Sequence, residues 1–254
     1  MSRSGDSNVG TAVACDVSNE LELTQACASI LSHGPVSLLV NNAGAYSARR
    51  SAELSAEEYN RIINLNATSM MVASRELYPC MRDQGGGLII NMGSFFDRLG
   101  VAGSVAYCAS KAAVGALTRC LAVEWALDNI YVINVAPGYV ETDLSSAYLE
   151  DDENRNWLNA RIPIGRPAQP SEVATVVGQI VESGGALLTG QTVYMDGAHG
   201  MREPWRVRVK GSAIALLPCL VDGARCAAAP IPAPLTWCAR SASFEFAARP
   251  CSPA

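Results

Sequence analysis

Tyr107-Cys108-Ala109-Ser110-Lys111, thirteen residues after the serine that ends an apolar run, is the stretch from which the fold becomes legible. On a helix, residues i and i+4 share a face, so Tyr107 and Lys111 project side by side. An ammonium within a few ångströms of a phenol favours the phenolate, lowering a pKa that is ordinarily about 10. That makes Tyr107 a candidate proton donor or acceptor near neutral pH. A solvated helix face can carry such a pair without any function. With eight tyrosines and two lysines in the chain, however, a chance match at this spacing is uncommon. The neighbouring segments decide between the two readings.

Upstream, Gly87-Leu88-Ile89-Ile90-Asn91-Met92-Gly93-Ser94 has the character of a buried strand ending at a serine. Downstream, Ile130-Tyr131-Val132-Ile133-Asn134-Val135-Ala136 is a second such run, closed by Pro137-Gly138. Both are apolar, bounded by turn residues and separated by helical patterns, which predicts a parallel α/β sheet. Ligands of open α/β sheets bind at the carboxyl ends of the strands, where Ser94 and Pro137-Gly138 fall. A third run, Val36-Ser37-Leu38-Leu39-Val40, leads into Asn41-Asn42-Ala43-Gly44, whose small residues allow close backbone approach by a ligand or simply serve as turn formers. Asn66 lies 25 residues after Asn41 and 28 before Ser94.

In this order and spacing the motifs resemble the short-chain dehydrogenase/reductase superfamily, over roughly residues 10–198. The resemblance implies a doubly wound parallel-sheet Rossmann-type fold and reversible, NAD- or NADP-dependent oxidation of a secondary alcohol to a ketone. It implies that Tyr107 exchanges a proton with the substrate oxygen. Lys111 would lower the Tyr107 pKa and hold the nicotinamide ribose, Ser94 would hydrogen-bond the substrate oxygen, and Asn66 would position a water. Cofactor contacts carried over from the family fall on Asp16 at the adenine, on Asn41, Ala43 and Gly44 along the cleft wall, on Tyr107 and Lys111, and on Pro137, Gly138, Val140 and Thr142 at the nicotinamide end. A homodimer or homotetramer, partly built on the Ala-rich helix at 105–127, is also implied.

Composition narrows the alternatives. A chain of 254 residues with 49% hydrophobic and 17% charged residues is ample for one globular core. The net charge of −5 offers no electrostatic case for nucleic acid or an anionic membrane. Nine cysteines without a C-x-x-C pair, and two histidines, make no zinc-ligand pattern. No apolar run reaches membrane-spanning length and residues 1–10 lack an apolar leader, so a reducing, cytoplasmic setting is expected.

Along the chain, Thr11-Ala12-Val13-Ala14-Cys15 predicts a strand, and Asp16-Val17-Ser18 a cap for a helix at about 19–32. Asp16 can thus be a cofactor contact or merely a capping residue. Ser55-Ala56-Glu57-Glu58 predicts another helix start; residues 57–83 read as one or two helices ending near Pro79 and Gly85-Gly86-Gly87. Phe95-Phe96 either line the substrate side of the cleft or pack as loop core. Residues 144–166, with the acidic run Glu150-Asp151-Asp152-Glu153, correspond to the family's variable substrate lid and are expected as a long functional loop. Pro170-Ser171-Glu172-Val173 opens a helix, and Thr189–Gly197 carries the last strand and its exit.

Two departures from the family pattern stand out. No GxxxGxG or GxGxxG precedes the strand at 11–15, so the chain reads as lacking the first two strands and the glycine-rich phosphate loop. Either 11–15 then pairs with 36–40 or that strand keeps an open edge, and weak cofactor binding is expected in both cases. Residues 199–254 hold seven of the 13 prolines and a net charge of +4, against −9 before them. They read as an irregular tail, produced by a shifted reading frame or forming an interaction segment. The competing functional class is accordingly a catalytically impaired fragment acting as a binding protein or having no function.

Overall fold

In a computed structural model of the chain, residues 10–201 are described; the irregular tail expected over 199–254 therefore falls, from residue 202 on, outside the described residues. Four parallel strands, β1 (Leu38–Asn41), β2 (Gly87–Met92), β3 (Ile130–Pro137) and β4 (Thr192–Met195), form one sheet in the order β1-β2-β3-β4. β2 and β3 are continuous apolar runs because both their faces are covered. On one face lie α1 (Glu20–Leu31), α3 (Ser69–Asp83) and α4 (Val105–Trp125), which bury Leu23, Leu77, Met81 and Leu121 against Ile89 and Val132. On the other lies α7 (Pro170–Ser183), whose Ile180 packs on Leu88, Ile90, Ile133 and Val135. The sheet is doubly wound, as expected.

A polar row crosses this core near the carboxyl ends of the strands. Register places Asn41 beside Asn91, Asn91 beside Asn134, and Asn134 beside Thr192. The Asn41 amide donates to Asn91 (2.8 Å), Asn91 to Thr118 on α4 (3.0 Å), and Asn134 to Thr192 (3.1 Å). Buried amides are tolerable only when paired in this way. They lock strand register directly beneath the ligand-binding edge.

Four expectations are corrected. Residues 11–15 form no strand: they run as coil before α1, because no neighbouring strand lies there to take their hydrogen bonds, and Val13 is exposed. The cap of α1 is Asn19, whose carboxamide oxygen accepts from the Leu21 and Glu22 amides, so neither Asp16 nor Ser18 fills that role. Pro79 sits inside α3 and does not end it. Removing one intrahelical donor is tolerated where Leu77 and Met81 anchor the flanking turns in the core. The lid region is not a loop but two short helices, α5 (Asp143–Leu149) and α6 (Asp152–Arg161), pinned by Leu149, Leu158 and Ile162.

Past β1 the order of the sheet stops. Leu39 points to the α3 face, while Leu38 and Val40 alternate to the other and remain 38% and 41% exposed. Among the described residues nothing pairs with the outer edge of β1.

Candidate active site

Three segments deliver the predicted side chains to the carboxyl edge of β2 and β3. Ser94 caps a short 3₁₀ turn (Phe95–Asp97) that follows β2; its hydroxyl accepts from the Phe96 amide and is largely buried. That turn is clamped from the far end of β4. Tyr194 donates its hydroxyl proton to Asp97 (2.8 Å), while Arg98 stacks on the Tyr194 ring (3.7 Å to the centroid) and pairs with the buried Asp196 (2.8 Å).

Tyr107 enters from the first turn of α4, close enough to Ser94 for that side chain to act on its hydroxyl. Lys111, one turn on, is 6% exposed and donates to the Met92 carbonyl at 2.8 Å. Its ammonium lies 5.7 Å from the Tyr107 ring centroid. The net shift of the phenol runs opposite to the one expected from that ammonium. Burial is the largest influence on Tyr107 and pushes its pKa above the ordinary value, the Ser94 side chain opposing it. Lys111 is itself lowered by burial to about 8, which weakens it as a source of positive charge.

Asn66 comes from a π-helical turn (Asn64–Thr68) inserted between α2 (Ala56–Ile63) and α3. Such turns rotate a helical residue out of register and recur at functional sites. The Asn66 amide donates to the Ala45 carbonyl (2.9 Å) and to Ser110 (3.0 Å), and its oxygen accepts from the Ala45 amide (2.8 Å). Both donors and one acceptor site are thus spent on holding the loop after Gly44 against α4.

Gly44 marks the wall of this space. A Cβ there would lie 3.2 Å from the Asn66 oxygen and 3.7 Å from the Lys111 ammonium, so only glycine leaves the approach open. Asn42, Ala43 and Gly44 are exposed beside it, whereas Asn41 is turned into the polar row and presents no side chain to the cleft. On the opposite side, Pro137 ends β3 and the Gly138 amide donates to the Met195 carbonyl (3.0 Å). Val140 bridges to Ala168, and Thr142 is the exposed cap of α5. Asp16 lies apart, before α1, its carboxylate held by the Ser18 amide and hydroxyl and lowered by them. Buried polar groups and an uncrowded glycine suit the nicotinamide–ribose half of a dinucleotide. The residues described include no glycine-rich turn for its pyrophosphate. Among them no cluster of three metal-ligating side chains occurs, and no helix is long and apolar enough to cross a membrane.

Of the two aromatic residues that flank Tyr107, sequence patterns offered Phe96 as a candidate lining residue and passed over Tyr46. Tyr46 packs edge-on against the Tyr107 ring (5.1 Å between centroids), and Phe96 does so from the other side (5.8 Å). Their only local signal was an aromatic two residues past a glycine wall or a serine.

Comparison with known proteins agrees with this fold. A family profile described as enoyl-(acyl carrier protein) reductase matches residues 1–200. The 3-oxoacyl-acyl-carrier-protein reductase FabG of Vibrio cholerae is 34% identical over 189 residues, covering 74% of this chain and 77% of its own. A tropinone reductase homolog of Arabidopsis thaliana is 34% identical over 186 residues, covering 72% and 71%. Among solved structures, gluconate 5-dehydrogenase from Burkholderia cenocepacia in complex with NADP and tartrate superposes with a TM-score of 0.72 at 27% identity, covering 74% of each chain. An actinorhodin polyketide ketoreductase variant with NADPH gives 0.71 at 33% identity, covering 74% and 77%. Fold, motif order and relatives agree: this chain belongs to the short-chain dehydrogenase/reductase superfamily, a family of NAD(P)-dependent oxidoreductases.

Proposed function

We propose that the chain interconverts a secondary alcohol and a ketone, with Tyr107 as the proton-transferring group. The observation that supports this best is the convergence of Ser94, at the turn after β2, with Tyr107 and a buried Lys111 of α4 at one sheet edge. Residues Ala43, Gly44, Lys111, Pro137, Gly138, Val140 and Thr142 would hold the nicotinamide end of NAD or NADP. When bound, NAD(P)H supplies the hydride taken up by the carbonyl carbon and is left as NAD(P)⁺. The carbonyl oxygen receives the Tyr107 hydroxyl proton, while Ser94 donates a hydrogen bond to the same oxygen as its negative charge grows.

Lys111 holds its ammonium toward the cleft through the Met92 carbonyl, leaving further donors for a ribose hydroxyl. Asn66 acts mainly by fixing Ala45 and Ser110, a positioning part that leaves one acceptor site for a water. Because burial holds the phenol neutral, Tyr107 is suited to donate its proton, and oxidation needs the base form at higher pH.

Ala112, Ala116, Cys120 and Val123 present an exposed small-residue stripe on α4, and we place a homodimer contact there.

Replacing Tyr107 by Phe keeps the ring packing and removes the transferable proton. Turnover with NADH or NADPH should fall by about 10²–10⁴-fold with an unchanged circular dichroism spectrum. Full activity in Tyr107→Phe would refute the assignment.

A further inference from the structure

Five aromatic rings from five separate segments, Tyr107 among them, form a continuous arc of ring contacts. Tyr46 follows Gly44, Phe96 follows Ser94, Tyr107 opens α4, Tyr139 follows Pro137-Gly138, and Tyr148 rides on α5. In ring-to-ring order they run Tyr46–Tyr107 (5.1 Å), Tyr107–Phe96 (5.8 Å), Phe96–Tyr139 (6.0 Å) and Tyr139–Tyr148 (6.3 Å). The first three contacts are edge-to-face, the last nearly parallel at 21°. The arc also curls back on itself: Tyr46 lies close enough to both Tyr139 and Tyr148 to raise their hydroxyl pKa values. Its two ends, Tyr46 and Tyr148, are 40% and 38% exposed, so broad ring surface remains open on either side of the entrance.

Charges of both signs approach one end of this surface. Arg161 and Asp151, of opposite sign, are the ions felt by Tyr148, and Arg161 itself lies over the Trp157 ring (4.6 Å). Behind Tyr139 a cavity of about 230 Å³ continues between Ile162, Ile164 and Met195. The three ionised side chains of its lining are paired: Arg166 with Glu172 (2.7 Å), and Asp196 with Arg98 (2.8 Å). An anionic substrate would have to give up its hydration against ring faces. A flat ring, by contrast, gains offset or edge-on contacts at every point of the arc.

We infer that the substrate is an uncharged, ring-bearing ketone or the corresponding alcohol, held between Tyr46 and Tyr148 with its oxygen toward Tyr107. This rests on the oxidoreductase reading above and specifies its substrate class.

The test uses the whole 254-residue chain and two probes, 1-tetralone (a flat, neutral aromatic ketone) and acetoacetate (a small anionic one). Binding without cofactor is followed by saturation-transfer NMR and calorimetry; turnover is measured separately with NADH and NADPH. Tetralone should bind more tightly than acetoacetate. Tyr148→Ala or Tyr46→Ala should each weaken it by about tenfold, and Tyr148→Phe, which keeps the ring, should restore it. Equal or tighter binding of acetoacetate would overturn the inference. So would wild-type tetralone binding by both alanine variants with unaltered circular dichroism. Ring-dependent tetralone binding without turnover of any ketone would uphold the binding surface and overturn the oxidoreductase reading instead.

Discussion

The two flanks of the sheet differ in how completely their polar and apolar groups are matched. On the β2–β3 flank the buried amides form a row of donated hydrogen bonds that leaves only the Asn134 side-chain carbonyl without a partner, Lys111 is tied to Met92, and the Ser94 turn is held from β4 by Tyr194 and Asp196. On the β1 flank Leu38 and Val40 remain exposed, the strand's outer edge is unpaired among the described residues, and residues 11–15 run as coil. The proton-transfer half of the site therefore rests on an over-determined scaffold, and the half expected to carry the nucleotide does not. Geometry at Tyr107 and affinity for the dinucleotide are separable properties in this molecule.

Calorimetric titration should expose that difference most strongly. Charge-assisted hydrogen bonds to a pyrophosphate contribute about 1.5–3 kcal/mol each, and a helix N-terminus usually supplies several. Here α1 directs its first free amides to its own Asn19. We expect the 254-residue chain to bind NADH and NADPH at least about a hundredfold more weakly than micromolar. A micromolar dissociation constant for either would show that the β1 flank is complete enough to hold the nucleotide.

A smaller effect is expected from Lys111→Met, which probes the matched flank. The folded state lowers the Lys111 pKa from 10.5 to about 8, so between these values the unfolded chain binds more protons and wild-type stability rises with pH. Below about pH 8 the buried ammonium opposes folding in full. Methionine removes that opposition and forfeits one hydrogen bond to the Met92 carbonyl. Its Tm at pH 7 should exceed wild type by a few degrees, about 2–4 °C per kcal/mol at this size. The gap should narrow as pH rises above 8, and ketone turnover should be lost. A variant less stable than wild type at pH 7 would mean that Lys111 is a net stabilising contact.

The smallest effect belongs to Val40→Lys on the open edge. A lysine at an exposed edge strand discourages pairing with other chains. Stability should stay within about 0.5 kcal/mol of wild type, since the position is already half exposed. Light scattering on warming should show slower aggregation; an unchanged aggregation rate would mean that the β1 edge is not where chains associate.

Local pattern determined the architecture of this protein. The parallel sheet was legible because β2 and β3 are apolar runs bounded by turn residues, and the covered faces that such runs demand are present. The pairing of Tyr107 with Lys111 followed from helical spacing alone, and Ser94 from its place at a strand end. Tertiary structure decided what neighbours impose. A strand needs a partner, so Thr11–Cys15, however suitable in composition, stays coil. The direction of the Tyr107 shift depends on how much water the fold removes, and burial outweighs an ammonium whose nearest acceptor is the Met92 carbonyl. The paired asparagine row and the arc from Tyr46 to Tyr148 join residues up to about a hundred positions apart; no spacing rule within one segment could find them, because only sheet register and helix packing bring them into contact.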